Sequence, residues 1–313
     1  MPPVSARVYT PAGDGVKPLF VFYHGGGWVL GSLDESDGYC RILANATGAI
    51  VVVSPDGRSV TQLVAPEIVS ASPYAAIAKL GLLADEAKND LWACTLDTGS
   101  FASTLRRYDL ATGKQKASFA MASAGGVCND LAFDAKGNLY VTDSFFGVER
   151  LPAGGSALEV WKNDALLGAG EGQFAVDGVA VDGDDVWVDN LTKGTLVRIP
   201  ITAGGAAGAA VKIEIKDATG APVSLSSPDG IRLSSPRTLL VAEAGADAVS
   251  TVKIDPATNT AVRSGFASRL DRPSSVAIAN GGAWIAEGQI ARLFKLESTP
   301  VNYPFHLRRI PLH

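Results

Sequence analysis

The chain has 313 residues, 47% hydrophobic and 19% charged, with a formal net charge of −5 and a pI near 5.3. That apolar content exceeds what a disordered coil carries, and an acidic chain with no basic run longer than Arg308-Arg309 lacks the cationic surface that nucleic acid demands. No apolar stretch approaches the ~20 residues that span a bilayer, and Met1-Pro2-Pro3-Val4-Ser5 does not read as a signal peptide, so a soluble cytoplasmic protein is expected. Cys40, Cys94 and Cys128 are scattered, with neither disulfide-framework nor zinc spacing, and are expected to be small buried hydrophobes.

In chain order, residues 4–11 and 18–24 read as strands, 35–47 as a helix and 49–54 as another strand. The phrase Phe20-Val-Phe-Tyr-His24-Gly25-Gly26-Gly27-Trp28 lies inside this stretch. Residues 58–64 then read as the outer strand of an incomplete sheet. From there the chain repeats itself. Short apolar runs begin at Leu80, Asn129, Asp177, Asp229 and Ser274, spaced by 49, 48, 52 and 45 residues. Each is followed by a turn rich in Gly, Asp, Asn or Pro and then by a second run, such as Leu139-Tyr140-Val141 or Val186-Trp187-Val188. The runs are too short for helices, so they read as strands joined by hairpins. Most units add a third and a fourth strand, as in 104–110 with 116–119 and 195–199 with 211–215. Four strands in about 40–50 residues is the size of a propeller blade.

Blades pack around an axis, so the five heading residues are expected to form a ring at one end of a central tunnel. Asn129, Asp177 and Asp229 would there converge as hard oxygen ligands, a set that suits Ca²⁺ best and Mg²⁺ or Mn²⁺ next. Such an ion polarises a carbonyl, and Asp229 is the first choice to take a proton from attacking water. The competing structural account is that Asp-Gly is merely a common turn dipeptide. Trp92, Tyr140, Trp187 and Trp284 recur on the second strands and are expected to pack between blades. Phe145, in a loop, is a candidate substrate wall, and Ser274 and Asn129 are candidate substrate contacts.

Cys128-Asn129-Asp130, the run from Asp134 to Ser144, Asp177-Gly178 and Pro228-Asp229-Gly230 resemble, in that order, the SMP-30/gluconolactonase/LRE-like propellers. The resemblance covers about residues 54–313 and implies a six-bladed propeller with a divalent ion, usually calcium, that hydrolyses lactones or related esters. It places metal and substrate positions on Asn129, Asp177 and Asp229. Two departures stand out: the family usually has Asn at the place of Asp177, and the acidic ligand from its first blade has no counterpart here. Glu67 falls in an inter-blade link and is not a ligand candidate.

Residues 4–54, through His24-Gly25-Gly26-Gly27-Trp28, resemble the N-terminal part of hormone-sensitive-lipase-type α/β-hydrolases, in which this run supplies oxyanion-hole N–H groups. Gly25 and Gly26 are the candidate donors. Yet the chain has no G-x-S-x-G elbow, and its histidines are only His24, His306 and His313. Ser250-Thr-Val-Lys253 would put its Ser and Lys on opposite faces of a strand and is read as chance. The expected organisation is a mainly β chimera: a hydrolase-like fragment at 1–57 that lends strands to a composite blade of a six-bladed propeller at 58–313. The expected activity is metal-dependent hydrolysis of a small lactone or ester. The alternatives are a serine-type carboxylesterase using the HGGGW segment, a non-catalytic binding propeller, and a condensing enzyme of the strictosidine-synthase kind, for which no residue speaks.

Overall fold

The computed structural model describes residues 50–54, 60–65, 67, 77–170, 172–293, 297–302 and 306–312. The elements expected before residue 49, and with them Gly25 and Gly26, lie outside the described residues.

A short hairpin comes first, β1 (Ile50–Val53) paired antiparallel with β2 (Val60–Val64). Five blades follow among the described residues. The first comprises β3 (Ile77–Asp85), β4 (Asp90–Asp97), β5 (Ser103–Asp109) and β6 (Gln115–Ala120). The second comprises β7 (Cys128–Phe133), β8 (Leu139–Asp143), β9 (Gly147–Leu151) and β10 (Glu159–Lys162). The third comprises β11 (Val176–Asp182), β12 (Asp185–Asn190), β13 (Thr195–Pro200) and β14 (Val211–Lys212). After β15 (Glu214–Lys216), the fourth is built from β16 (Pro228–Ser235), β17 (Thr238–Glu243), β18 (Ala248–Asp255) and β19 (Thr260–Ser268). The fifth has three strands, β20 (Ser275–Ala279), β21 (Gly282–Ala286) and β22 (Leu307–Pro311), the last two separated by a one-turn helix, Ile290–Leu293.

The innermost strands β3, β7, β11, β16 and β20 neighbour one another in that order, as propeller blades do. The first four blades are therefore covered on both faces, the first by the second and by the β1–β2 hairpin. This explains why the second strands read as continuous apolar runs rather than alternating ones: β4 is buried over nearly its whole length, and β8 throughout. Trp92, Tyr140 and Trp187 each belong to a core cluster between adjacent blades, the packing role expected of them. A fully buried side chain of this size stabilises by about 1.5–3 kcal/mol or more. Ile50 and Val64 of the β1–β2 hairpin pack on Leu91, Ala93 and Tyr108, against the first blade.

Two expectations need correction. The run 211–215 is not one strand. Val211 and Lys212 pair with β13, whereas β15 crosses to lie parallel to β19 of the fourth blade. The buried Ile213 and Ile215 cause this, because both are drawn into the core between the third and fourth blades. The cysteines are also more than small hydrophobes. Cys94 of β4 and Cys128 of β7 form a disulfide, with Cα atoms 5.1 Å apart. The pair is 34 residues apart in sequence and meets only because the first two blades pack face to face. Disulfides persist in oxidising compartments, which weighs against the cytoplasmic placement expected from the sequence. No helix among the described residues is long and apolar enough to cross a membrane.

Candidate active site

The heading residues do come together. Their meeting depends on the glycine that follows three of them, Leu80, Asp177 and Asp229. A Cβ built on Gly81 would strike the Asn129 carbonyl and the Asp130 backbone. One on Gly178 would sit 2.6 Å from both Asp229 O and Ile231 N, and one on Gly230 would sit 3.0 Å from Ser275. The glycines of Leu80-Gly81, Asp177-Gly178 and Asp229-Gly230 thus let neighbouring inner strands approach closely. At the ring Asp-Gly is not a turn dipeptide: Asp177-Gly178 and Asp229-Gly230 both lie inside inner strands, whereas Asp182-Gly183 makes the turn from β11 to β12. Gly230 N–H also donates to Ser274 O at 3.0 Å, which joins the fourth blade to the fifth at the same level.

Asp177, on β11, is buried, and its carboxyl lies close enough to that of Asp229 and to the Asn129 side chain for both to act on it. Asn129, on β7, is half-buried and donates from Nδ2 to Ser144 Oγ at 2.9 Å. Asp229, on β16, is half-buried, with Oδ1 accepting the Gly230 N–H at 3.0 Å. Burial pushes the Asp177 carboxyl up to about 7, with the Asp130 charge acting in the same direction. Burial, together with the charges of Asp177 and Asp189, raises Asp229 well above the ordinary carboxylate range. Two carboxyls this close resist ionising together without a countercharge.

Beneath this pair lies a layer that the repeat pattern alone did not disclose. Asp189 of β12 is fully buried, accepts the Gly178 N–H at 2.9 Å through Oδ1, and leaves Oδ2 without a partner. Its own carboxyl is raised by burial and by the charge of Asp177. The signal was present as the acid that follows Trp187-Val188. It was obscured because Asp143 and Glu243, close by in the repeat, act differently. Each accepts the backbone N–H of a loop leading into an inner strand, Val127 at 3.0 Å and Ser226 at 2.8 Å. Asp130 pairs with Arg232 and also accepts the Val179 N–H at 3.1 Å.

The remaining candidates fall as follows. Ser274 joins the ring through its backbone, and its Oγ lies 3.5 Å from Ala286 O. Phe145 stacks on Phe174 with ring centroids 5.1 Å apart, at the same end of the blades as Asn129. Glu67 is held by Lys79 at 3.0 Å and Arg106 at 2.6 Å, so its charge is already answered. Ser250 is buried and Lys253 exposed on β18, as the opposite-face argument requires.

Among the described residues no three His, Cys, Asp or Glu side chains converge as metal ligands. The donor set at the ring is two carboxylates and a carboxamide. It fits a hard divalent cation on two observations: the neighbouring Asp177 and Asp229 carboxyls are both held above the ordinary carboxylate range, which a cation between them would relieve, and every donor is oxygen.

Residues 20–69 match the α/β hydrolase fold family. The carboxylic ester hydrolase LipN of Mycobacterium tuberculosis is 47% identical over 73 residues, 23% of this chain and 19% of that protein. The chain spans less than a quarter of the length of the curated relatives it matches, the shares being 19%, 12%, 14% and 24%. Among solved structures, the Malassezia sympodialis allergen Mala s 1 is similar with a TM-score of 0.55 at 16% identity, covering 79% of this chain and 83% of that one. A proposed gluconolactonase is similar with a TM-score of 0.53 at 15% identity, covering 77% and 78%. At those identities the likeness speaks for the fold. The chain thus resembles a gluconolactonase-like propeller joined to an α/β-hydrolase-like N-terminal segment, the pattern of a fusion.

Proposed function

We propose that this protein hydrolyses carboxylic esters or lactones at the head of the propeller channel. One observation carries the reading: Asp177 and Asp229, 52 residues apart in the chain, bring their carboxyls together beside Asn129. Asn129, Asp177 and Asp229 would hold a divalent cation, calcium first, which when bound polarises a carbonyl oxygen and steadies the charge that develops on it. The chain's own residues supply the rest. Asp229 would take the proton from the attacking water once its carboxyl is ionised, which a cation beside it would favour. Asn129, anchored on Ser144, and Ser274 orient the substrate, while Phe145 on Phe174 walls it from solvent. In this reading the β1–β2 hairpin, which packs on the first blade, would belong to a composite sixth blade, and Gly25 and Gly26, outside the described residues, would be the candidate oxyanion donors.

The test is a panel of aryl esters and lactones assayed before chelation, after it, and after calcium is restored. We expect activity to fall on chelation and return with calcium, and Asp229→Asn to lose about 10²–10⁴-fold in kcat with the fold intact. Full activity after exhaustive chelation overturns the cation's role, and full activity in Asp229→Asn overturns the site. The match to LipN favours a second reading, a serine-type esterase. Covalent labelling by a fluorophosphonate would establish it. Absence of both hydrolysis and cation binding would leave a non-catalytic binding propeller.

A further inference from the structure

The inner strands share an irregularity that the apolar repeat conceals. Their pairing with the second strands slips between Lys79 and Leu82, Cys128 and Leu131, Val176 and Val179, and Pro228 and Ile231. The residues left out of register are Leu80-Gly81, Asn129-Asp130, Asp177-Gly178 and Asp229-Gly230, so Leu80, Asn129, Asp177 and Asp229 all stand on bulges. A bulge interrupts the ladder and re-aims its side chains, and the backbone groups it releases need other partners.

Opposite each bulge stands one buried residue of the second strand: Cys94, Thr142, Asp189 and Ala242. Cys94 reaches the next blade, where it is bonded to Cys128, the residue before Asn129. Asp189 serves its own blade by accepting the Gly178 N–H at 2.9 Å. Thr142 does both. Its Oγ1 accepts the Asp130 N–H of its own blade at 2.9 Å and donates to the Asp177 carbonyl of the next. Three successive backbone groups at the Asp177 bulge are thereby held by buried side chains. Thr142 takes the Asp177 carbonyl, Asp189 the Gly178 N–H, and Asp130 the Val179 N–H at 3.1 Å. In the fourth blade Ala242 has nothing to offer, and the Gly230 N–H goes instead to Ser274 O and to Asp229 Oδ1.

We propose that Thr142 is a positioning residue for Asp177. Its hydroxyl locks the bulge of the second blade to that of the third and so fixes where Asp177 directs its carboxyl relative to Asn129. Thr142 acts through the Asp177 backbone, not on a cation or a substrate. Without the hydroxyl, the buried Asp130 N–H and Asp177 carbonyl both lose a partner, and the bulge is free to settle elsewhere. The inference rests on the reading of Asn129, Asp177 and Asp229 as a cation site.

The experiment is calcium titration of the full chain by calorimetry, with thermal unfolding in chelator alongside to read loss of stability by itself. The parent should bind calcium saturably. Thr142→Val keeps the shape but removes the hydroxyl, and should weaken calcium binding about tenfold or more, as loss of a group that orients a metal ligand does. Thr142→Ser keeps the hydroxyl and should match the parent. Thr142→Ala serves if Thr142→Val does not fold. Parental calcium affinity in folded Thr142→Val overturns this inference alone, even where its melting temperature falls, because a merely structural role lowers only the latter. An equal loss of affinity in Thr142→Ser also overturns it. No calcium binding by the parent overturns the cation reading and this inference with it.

Discussion

Asp130 of β7 and Arg232 of β16 meet past the intervening strand β11, Nη1 to Oδ2 at 2.6 Å and Nη2 to Oδ1 at 2.9 Å. The two residues are 102 positions apart, and both side chains are largely buried. The pair ties the second blade to the fourth beside the acidic cluster, and Arg232 there answers the charge of Asp130.

Removing Arg232 alone should therefore be costly. Arg232→Met leaves Asp130 buried beside Asp177 with no cation, and a loss of about 3–5 kcal/mol is expected. Asp130→Asn in the same chain should recover much of it. Urea unfolding of the two single variants and the double variant gives the coupling directly; additive losses would mean the pair is not a unit.

Glycine spacing at the ring makes a graded prediction. Gly178→Ala puts a methyl group 2.6 Å from two backbone atoms of the next strand, whereas at Gly230 the nearest contact is 3.0 Å. We expect Gly178→Ala to destabilise by about 1–3 kcal/mol or more and Gly230→Ala by less. Thermal unfolding of the two side by side decides the order.

Asp143 sets a pH dependence. Burial pushes its carboxyl from 3.8 up to about 6, against the N–H groups of Phe145 and Val127 that favour the ion, while the Glu149 charge adds to the rise. A raised acid contributes stability that is whole below the unfolded value near 3.8 and is lost as pH climbs through about 6. The loss is about 3 kcal/mol by neutral pH. Asp143→Asn cannot ionise, so its stability relative to the parent should improve by about that amount between pH 4 and pH 7. Urea midpoints at four pH values measure it, and parallel curves for the two proteins would refute it.

The Cys94–Cys128 bond closes a loop of 34 residues' separation, for which chain entropy gives a stabilisation of about 4 kcal/mol. Cys94→Ser should lower stability by up to that much. Of the three cysteines, thiol titration of the denatured, unreduced protein should find one, Cys40, and three after reduction. Three thiols without reduction would show the bond absent.

Much of this molecule was legible in the chain itself. Turn chemistry and apolar runs at a steady interval define blades, because hairpin strands are local and their signals lie within a few residues. The same interval named Asn129, Asp177 and Asp229 as neighbours, since equivalent residues of successive blades meet at the axis. What only the tertiary structure decided was everything that depends on which faces touch. Cys94 finds Cys128, Arg232 finds Asp130, and β15 abandons its own blade for the next, through contacts between blades that no local pattern encodes. Asp189 is the instructive case. A single acid at the end of an apolar strand looks the same as Asp143 or Glu243, and only a register one residue earlier turns its carboxyl toward the ring. Periodicity sets which residues recur; side-chain direction in three dimensions sets what each one meets.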